Sequence, residues 1–477
     1  MADMLINGIR YPIAWLSELP VSDGPIPNSY ASCDYEPAWD LLELGFDYEE
    51  VARVFKLASA GAIDLYLDGN EIVARHALLD DVRYEAYNHL SRMGSGSQRQ
   101  LDLEPIARAI GARLAVQGER FTVRTDEALI RLALDGTRPE VDARFALPVN
   151  WEFTRYTLGD ARSVIRVIFA LAFIRHVARV HAAAAGCLGL GVVDCLVVMR
   201  REELRAFACR YAEAEAGAVD AVLRDMRYGS RRLIQPDPAL QPIILLTNDV
   251  AVIMPQLWLN LSFERNLLVL LNRIPEERAA YSRLVGEKEA LMRAELTTAL
   301  PSRFRTWFGR VPGRPELPDV DLAVIDDKSM CCLLVELKWF LAPADVREVL
   351  DRRKEVQRGT KQMERLVAAM RHGVPQLLEV LGIDSRYSIA AVVATREWIG
   401  NADAQHPDVP VIRADHLGAK LNRVAYLDEA IRWLKARDYL PVEERHYRVR
   451  ATKRRIAGYT VRWYGVKPLI HGSYVPI

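Results

Sequence analysis

The spacing of apolar and polar positions divides the chain into two parts of different character. From Tyr35 to about Leu134 apolar residues recur three and four apart, as in EPAWDLLELGFDYEEVARVFKLAS, which predicts several short helices. Within that stretch AIDLYLDGNEIVARH alternates about Asp68-Gly69-Asn70 and predicts a two-stranded hairpin. Residues up to about Tyr30 read as loop, and MGSGSQRQ (93–100) reads as a flexible joint. From Asp160 to about Arg227 two long helical patterns dominate, DARSVIRVIFALAFIRHVARVHAAAA and REELRAFACRYAEAEAGAVDAVLRDM. Near Pro236 the pattern changes. QPIILLTNDVAVIMPQLWL predicts two short strands around Thr247-Asn248-Asp249, followed by helices in SFERNLLVLLNRI and PEERAAYSRLVGEKEALMRAELTTAL. Beyond Pro301 the runs PDVDLAVID, MCCLLVELKWF, YSIAAVVATREW and VPVIRAD predict strands, with the helix PADVREVLDRRKEVQRGTKQMERLVAAM among them. The expected fold class is α/β and multi-domain. A mostly helical region over 1–240, of one or two subdomains joined near 93–100, precedes an α/β domain with a mixed central sheet over 241–425. A basic helix-and-hairpin extension covers 426–477.

Composition narrows the choices. At 477 residues the chain is too long for one compact core. Its 63 Lys and Arg balance 63 Asp and Glu, so any case for a polyanionic partner has to be made locally. Six cysteines, none in a C-x-x-C pair, point to reduced thiols and a cytoplasmic protein rather than a disulfide scaffold. The most apolar stretch, Ser163 to Ala185, is interrupted by Arg166, Arg175, His176, Arg179 and His181. Each arginine at mid-bilayer would cost roughly 2.5–3.5 kcal/mol, so this segment reads as a buried helix and no membrane association is expected. No P-loop lysine motif occurs, and Gly186-Cys187-Leu188-Gly189-Leu190-Gly191 lacks the strand-before, helix-after setting of a dinucleotide loop. His176 and His181 are five apart, off a common helical face, and read as core or capping residues.

The informative segment is LPDVDLAVIDDKSMCCLLVELKW, Leu317 to Trp339. The nearly unbroken apolar run Met330 to Val335 is the pattern of a central strand covered on both faces. Glu336 and Lys338 end it, two apart, so both side chains leave one face. Burying them is costly unless they pair or serve a metal. Asp319 and Asp321 sit in the same relation on the preceding strand. With a loop over Asp327 to Met330, antiparallel pairing sets Asp321 opposite Glu336 and Asp319 opposite Lys338; a two-residue loop sets Asp319 against Glu336 instead. Opposed Cβ atoms lie about 4.5–5.5 Å apart, near enough for two carboxylates to share a cation. Asp321 is favoured because Val-Asp-Leu-Ala embeds it in the apolar strand.

Pro318-Asp319-Val320-Asp321 followed by Glu336-Leu337-Lys338 resembles the PD-(D/E)XK, or restriction-endonuclease-like, nuclease superfamily, over roughly Pro275 to Leu417. The resemblance implies a helix glutamate before the acidic strand, for which Glu289 and Glu295 are available and Glu295, nearer the helix end, is preferred. It also implies a glutamine on the following helix, Gln362. Asp321, Glu336 and Glu295 would then hold Mg²⁺ or Mn²⁺, the hard cations that carboxylate oxygens suit. Lys338 would orient or deprotonate the attacking water and stabilise the transition state, and Gln362 would position Lys338 or a phosphate. The expected activity is divalent-metal-dependent hydrolysis of phosphodiester bonds in DNA, with RNA as the alternative substrate. A restriction or anti-phage role is a fold-level analogy. The rival from another class is a non-catalytic nucleic-acid-binding or assembly subunit.

Nucleic-acid contact is expected from a basic C-terminus. From Arg432 onward eleven basic residues face three acidic ones. YRVRATKRRIAGYTVRWYG reads as a hairpin with one basic face, carrying Arg448, Arg450, Lys453, Arg454, Arg455 and Arg462 with Trp463 as a stacking surface. Arg303, Arg305, Arg310 and Arg314 add charge ahead of the acidic strand. Such contacts would follow the backbone and carry no base specificity. The helical N-terminal half is left to bind a protein partner or a second copy.

Overall fold

The computed structural model describes residues 2–19, 32–61, 63–75, 81–91, 103–118, 120–187, 195–230, 233, 236–247, 249–341, 343, 346–456 and 458–476. The joint expected over 93–100 lies outside them. Helices α1 (Ala2–Ser17) and α2 (Ser32–Ser59) are followed by strands β1 (Asp64–Asp68) and β2 (Glu71–Arg75) and helix α3 (Arg83–Leu90). Next come α4 (Glu104–Gly111), β3 (Leu114–Gln117), β4 (Arg120–Val123), α5 (Glu127–Ala143) and α6 (Leu158–Ala184). The chain continues through β5 (Val197–Arg200), α7 (Arg201–Tyr211), α8 (Ala216–Asp225), β6 (Ile243–Leu245), β7 (Val250–Ile253), α9 (Pro255–Asn260) and α10 (Phe263–Arg273). Then follow α11 (Arg278–Ala299), β8 (Arg305–Gly309), β9 (Val320–Asp326), β10 (Cys331–Lys338), α12 (Val346–Arg371) and α13 (Pro375–Leu381). β11 (Ser388–Thr395), β12 (Val411–Arg413), α14 (Ala414–Arg423), α15 (Leu427–Ala436), β13 (Tyr447–Ile456) and β14 (Tyr459–Pro468) complete it. The fold is mixed α/β, and no helix among the described residues is long and apolar enough to cross a membrane.

Two compact units emerge, and their limits differ from the expected ones. The first comprises 1–51 and 98–284, the second 52–97 and 285–477. The helical half therefore ends near 284 rather than 240, because β5, β7 and β6 form a small antiparallel sheet of their own in the first unit. The C-terminal residues are not a separate extension. β13 and β14 join β1 and β2 in one four-stranded sheet, and Leu434, Tyr439 and Tyr447 lie in the main core of the second unit. The expected loop before Tyr30 is corrected over Ala2–Ser17, which is helical despite Pro12. The reason is tertiary. A Cβ on Gly45 would lie 2.7 Å from the Gly8 carbonyl oxygen and 2.5 Å from Pro12 Cδ, so two small residues let α1 lie against α2. In the same unit α6 is the buried helix its composition foretold, opened by a capping box between Thr157 and Asp160.

The second unit is built on a five-stranded sheet of order β12-β11-β10-β9-β8. β8, β9 and β10 run antiparallel, while β10, β11 and β12 are parallel, so α12 is the crossover that a parallel pair requires. β10 is central and Cys331 to Leu337 are all buried, which explains the unbroken apolar run. A four-residue loop joins β9 to β10. The Asp326 carboxylate organises it, accepting from the Lys328 N–H at 3.0 Å and the Ser329 hydroxyl at 2.6 Å, and also from the Leu427 N–H at 3.0 Å. Burial works against the Asp326 charge, yet these donors prevail and hold its pKa below the ordinary value. Met330 closes the loop with φ +48°, in the left-handed region.

Two outcomes follow for urea unfolding. Met330→Gly is expected to gain roughly 0.5–1 kcal/mol by relieving the backbone. Asp326→Ala is expected to lose about 3 kcal/mol, since it strands donors around a buried carboxylate. Because the folded Asp326 pKa is depressed, its contribution is present above the ordinary pKa of 3.8 and lost as pH falls below it. An Asp326→Ala deficit of unchanged size at pH 3 and pH 7 would refute that assignment.

Candidate active site

The turn sets the register. Cys331 pairs with Asp326 and Val335 with Leu322, so the same register continued by one residue faces Glu336 with Asp321. The Leu337 N–H donates to Asp321 Oδ2 at 2.8 Å, tying the aspartate to the end of β10. The open choice between Asp319 and Asp321 is thereby resolved on placement. Asp319 is half exposed and pairs with Arg310 at 3.0 Å.

Lys338 Nζ lies 2.6 Å from Glu336 Oε1, and the Glu336 side chain is only 2% exposed. Its other oxygen, Oε2, is buried with no hydrogen-bond partner. The following helix covers the pair: a Cβ on Gly359 of α12 would stand 3.4 Å from Lys338 Cε and 3.5 Å from Glu336 Cγ. Gln362 lies one turn further along α12, and its Oε1 is buried without a partner.

The preceding helix contributes a different glutamate from the preferred one. Glu295 is 64% exposed and pairs with Arg396 at 2.9 Å, so its expected place in the cluster is corrected. Glu289 takes that place, since its carboxylate accepts from the Trp339 N–H and feels Lys338, Asp321 and Glu355. Lys288 Nζ, 3.4 Å from the Trp339 ring centroid, anchors the same turn of α11 at the end of β10. Glu355, absent from the sequence reading, acts on Glu289 from α12 while pairing with Arg352 at 3.2 Å. It lies one turn before Gly359 on α12, and its signal was the i, i+4, i+7 spacing of Glu355, Gly359 and Gln362.

Electrostatically the site holds too much negative charge for its one amine. Burial, then the Asp321 charge, pushes the Glu336 carboxyl from its ordinary 4.5 up to about 7, against the pull of Lys338. Burial also raises Asp321, although the Leu337 N–H, Lys338 and Arg293 oppose it, and burial raises Glu289. For Lys338 burial acts to lower the pKa, but Glu336, Glu289 and Asp321 more than offset this and it ends above its ordinary value. All four groups hold protons more tightly than usual, the behaviour of a donor set short of cations.

The donor chemistry fits Mg²⁺ or Mn²⁺, with hard carboxylate oxygens and an uncommitted Glu336 Oε2. Among the described residues no three His, Cys, Asp or Glu side chains are already gathered as a metal-holding group. Lys338 engages one Glu336 oxygen in this arrangement.

The expected nucleic-acid residues are largely committed to protein partners. Arg303 donates to the Val424 carbonyl, and Arg305 grips Asp327 through two 2.7 Å bonds. Arg310 pairs with Asp319 and Arg314 with Glu316. The C-terminal hairpin forms, but its single basic face is corrected. Alternation puts Arg448, Arg450 and Arg454 on one side and Lys453, Arg455 and Arg462 on the other. Arg448 pairs with Glu444 at 2.6 Å, and Arg462 and Lys453 meet Glu71 at 2.9 and 3.6 Å. Trp463 packs beside Val54, Leu57, Ile63 and Val461 instead of standing free for stacking.

A pH test isolates Glu336. Its folded pKa is raised, so its contribution is fully present below about pH 4.5 and is lost as pH rises through about 7. In EDTA, Glu336→Gln is expected to flatten the fall in stability over that window and to exceed the parent by roughly 1–3 kcal/mol above pH 7. Denaturant melts at pH 4, 6 and 8 check it, and parallel curves for the two proteins would refute it.

In comparisons with protein families, with curated proteins and with solved structures, nothing matches this chain.

Proposed function

We propose that the second unit is a divalent-metal-dependent nuclease of the PD-(D/E)XK kind, acting on DNA. One observation carries this reading: carboxylates from adjacent antiparallel strands, Asp321 and Glu336, meet at one sheet end with the Lys338 amine on the same side. The order of elements supports it, since a helix, three antiparallel strands, a crossover helix and a parallel strand follow one another from α11 to β11. Sparse cysteines, free among the described residues, are in keeping with a cytoplasmic setting.

Asp321 and Glu336 would hold Mg²⁺ or Mn²⁺, with Glu289 as the third carboxylate. The ion, when bound, supplies acidified water and neutralises charge on the phosphoryl oxygens. Lys338 enters as an ammonium, because its carboxylate neighbours hold its proton. Its part is therefore to donate to a phosphoryl oxygen or to the attacking water as negative charge grows, rather than to remove a proton. Arg293 of α11 acts on Asp321 and stacks over Phe308 at 4.2 Å, and would supply a second cation beside the carboxylates. Gln362 offers its buried Oε1 as an acceptor on the covering helix. A role in restriction or anti-phage defence remains an analogy of fold and chemistry.

Supercoiled plasmid, linear duplex and single-stranded RNA incubated with Mg²⁺ or Mn²⁺ test the reading. Divalent-dependent cleavage is expected, falling by about 10²-fold or more in Asp321→Ala, Glu336→Ala and Lys338→Ala. Glu289→Ala is expected to lose at least tenfold while Glu295→Ala stays within about twofold, because only the former lies in the cluster. Absence of cleavage of every substrate by the parent protein would leave the carboxylates a structural cluster and favour a binding subunit.

A further inference from the structure

The first unit contains a second concentration of charge, of opposite sign. α7 and α8, with strand β6 and Ala251 of β7, line a half-open cavity of about 300 Å³. Helical spacing decides what lines it. Arg201, Leu204 and Arg205 share one face of α7, and Asp220, Leu223 and Arg224 share one face of α8, with Arg227 a turn beyond. Ile243 and Leu245 of β6 form the apolar floor.

Arg205 and Asp220 neutralise each other through bonds of 2.6 and 2.9 Å. The guanidinium groups of Arg201, Arg224 and Arg227 have no ion pair or hydrogen bond among the described residues, and the only other acid lining the cavity is Glu202. Burial, then Arg201 and Arg224, pulls Arg227 below its ordinary pKa. A guanidinium nevertheless keeps its proton near neutral pH, so Arg227 remains a cation at the cavity. Arg201 and Arg224 are exposed and Arg227 is half-buried, so all three can be reached by an anion from solvent.

We propose that this cavity binds a small phosphate monoester with an apolar or aromatic body, the phosphate seated on Arg201, Arg224 and Arg227. Three uncompensated arginines against one carboxylate leave two positive charges, the complement of a phosphate dianion. Guanidinium forks match tetrahedral phosphate oxygens better than lysines would. The volume lies at the small end of ligand sites, and Leu204, Leu223 and Ile243 offer a surface for a base or ring. The site is independent of the carboxylate cluster in the second unit.

Isothermal titration of the full chain at low salt tests it with three probes: adenosine 5′-monophosphate, inorganic phosphate and adenosine. The monophosphate is expected to bind at least about tenfold more tightly than inorganic phosphate, with no adenosine binding detected. Arg227→Gln should weaken both phosphate probes by about tenfold or more. Leu223→Phe, which narrows the apolar end, should weaken the nucleotide but not inorganic phosphate. Glu336→Ala should change none of these values. Failure of both phosphate probes to saturate by about 10 mM, or binding unaltered in Arg227→Gln, would overturn the proposal. Tighter, Arg227-dependent binding of a single-stranded oligonucleotide than of the monophosphate would also overturn it, assigning the arginines to a polymer.

Discussion

The register of the β9–β10 hairpin is the constraint on which the candidate site rests. A slip of one residue would send Asp321 to the other face of the sheet and leave Glu336 facing an apolar neighbour. In most sheets the hydrophobic pattern prevents this, because one face is wet and the other dry. Here both faces of β9 and β10 are buried over Leu322 to Asp326 and Cys331 to Leu337, so apolar burial hardly distinguishes one register from the next. Specification falls to the turn. Asp326 binds two donors within the loop and one from the start of α15, and Met330 adopts a left-handed backbone to complete four residues rather than two. A polar knot at one end of the hairpin thus determines which carboxylates meet at the other.

This explains what the amino-acid sequence disclosed and what it withheld. The two strands were legible from their apolar runs, and the Asp321–Glu336 pairing was legible once a four-residue loop was assumed. The sequence carried no sign that Asp326 would be drawn to Leu427, a hundred residues away, to fix that loop. The helix glutamate was ambiguous for a geometric reason. Lys288, Met292 and Leu296 mark the buried stripe of α11, and Glu289 and Glu295 fall on opposite flanks of it. Periodicity identifies the stripe but not which flank faces the strand end. Turn and alternation mark the C-terminal hairpin in the sequence, while the parity of its basic residues divides them between two faces. A run such as Lys453-Arg454-Arg455 must divide between two faces. The helix at Ala2–Ser17 escaped because its support is the close approach of Gly8 and Gly45, a contact between segments far apart in sequence.

Each compact unit has, among its described residues, a cluster where like charges outnumber their counter-ions. In the second unit Asp321, Glu336 and Glu289 surround one lysine and all hold protons beyond their ordinary range. In the first, Arg201, Arg224 and Arg227 surround a cavity with Glu202 as their one uncommitted acid. Other charged groups are paired closely: Arg305 with Asp327, Arg413 with Asp415, Arg205 with Asp220 and Arg448 with Glu444 are all bonded within 3 Å. A chain with 63 charges of either sign had the means to neutralise both clusters in the same way.

Uncompensated charge of one sign, buried at the strand end and half-open at the cavity, is the local feature from which both proposals start. The sign of the excess then states the kind of counter-ion. Carboxylates crowded at a strand end call for a small hard cation, which can approach several oxygens at once as no lysine side chain can. Guanidinium groups around a partly apolar cavity call for a compact anion attached to something that avoids water. The two clusters are independent in chemistry and in location along the chain. Neutralising one by mutation should leave the other's charge imbalance intact, and that separability is what allows the hydrolytic reading and the anion-binding reading to stand or fall apart.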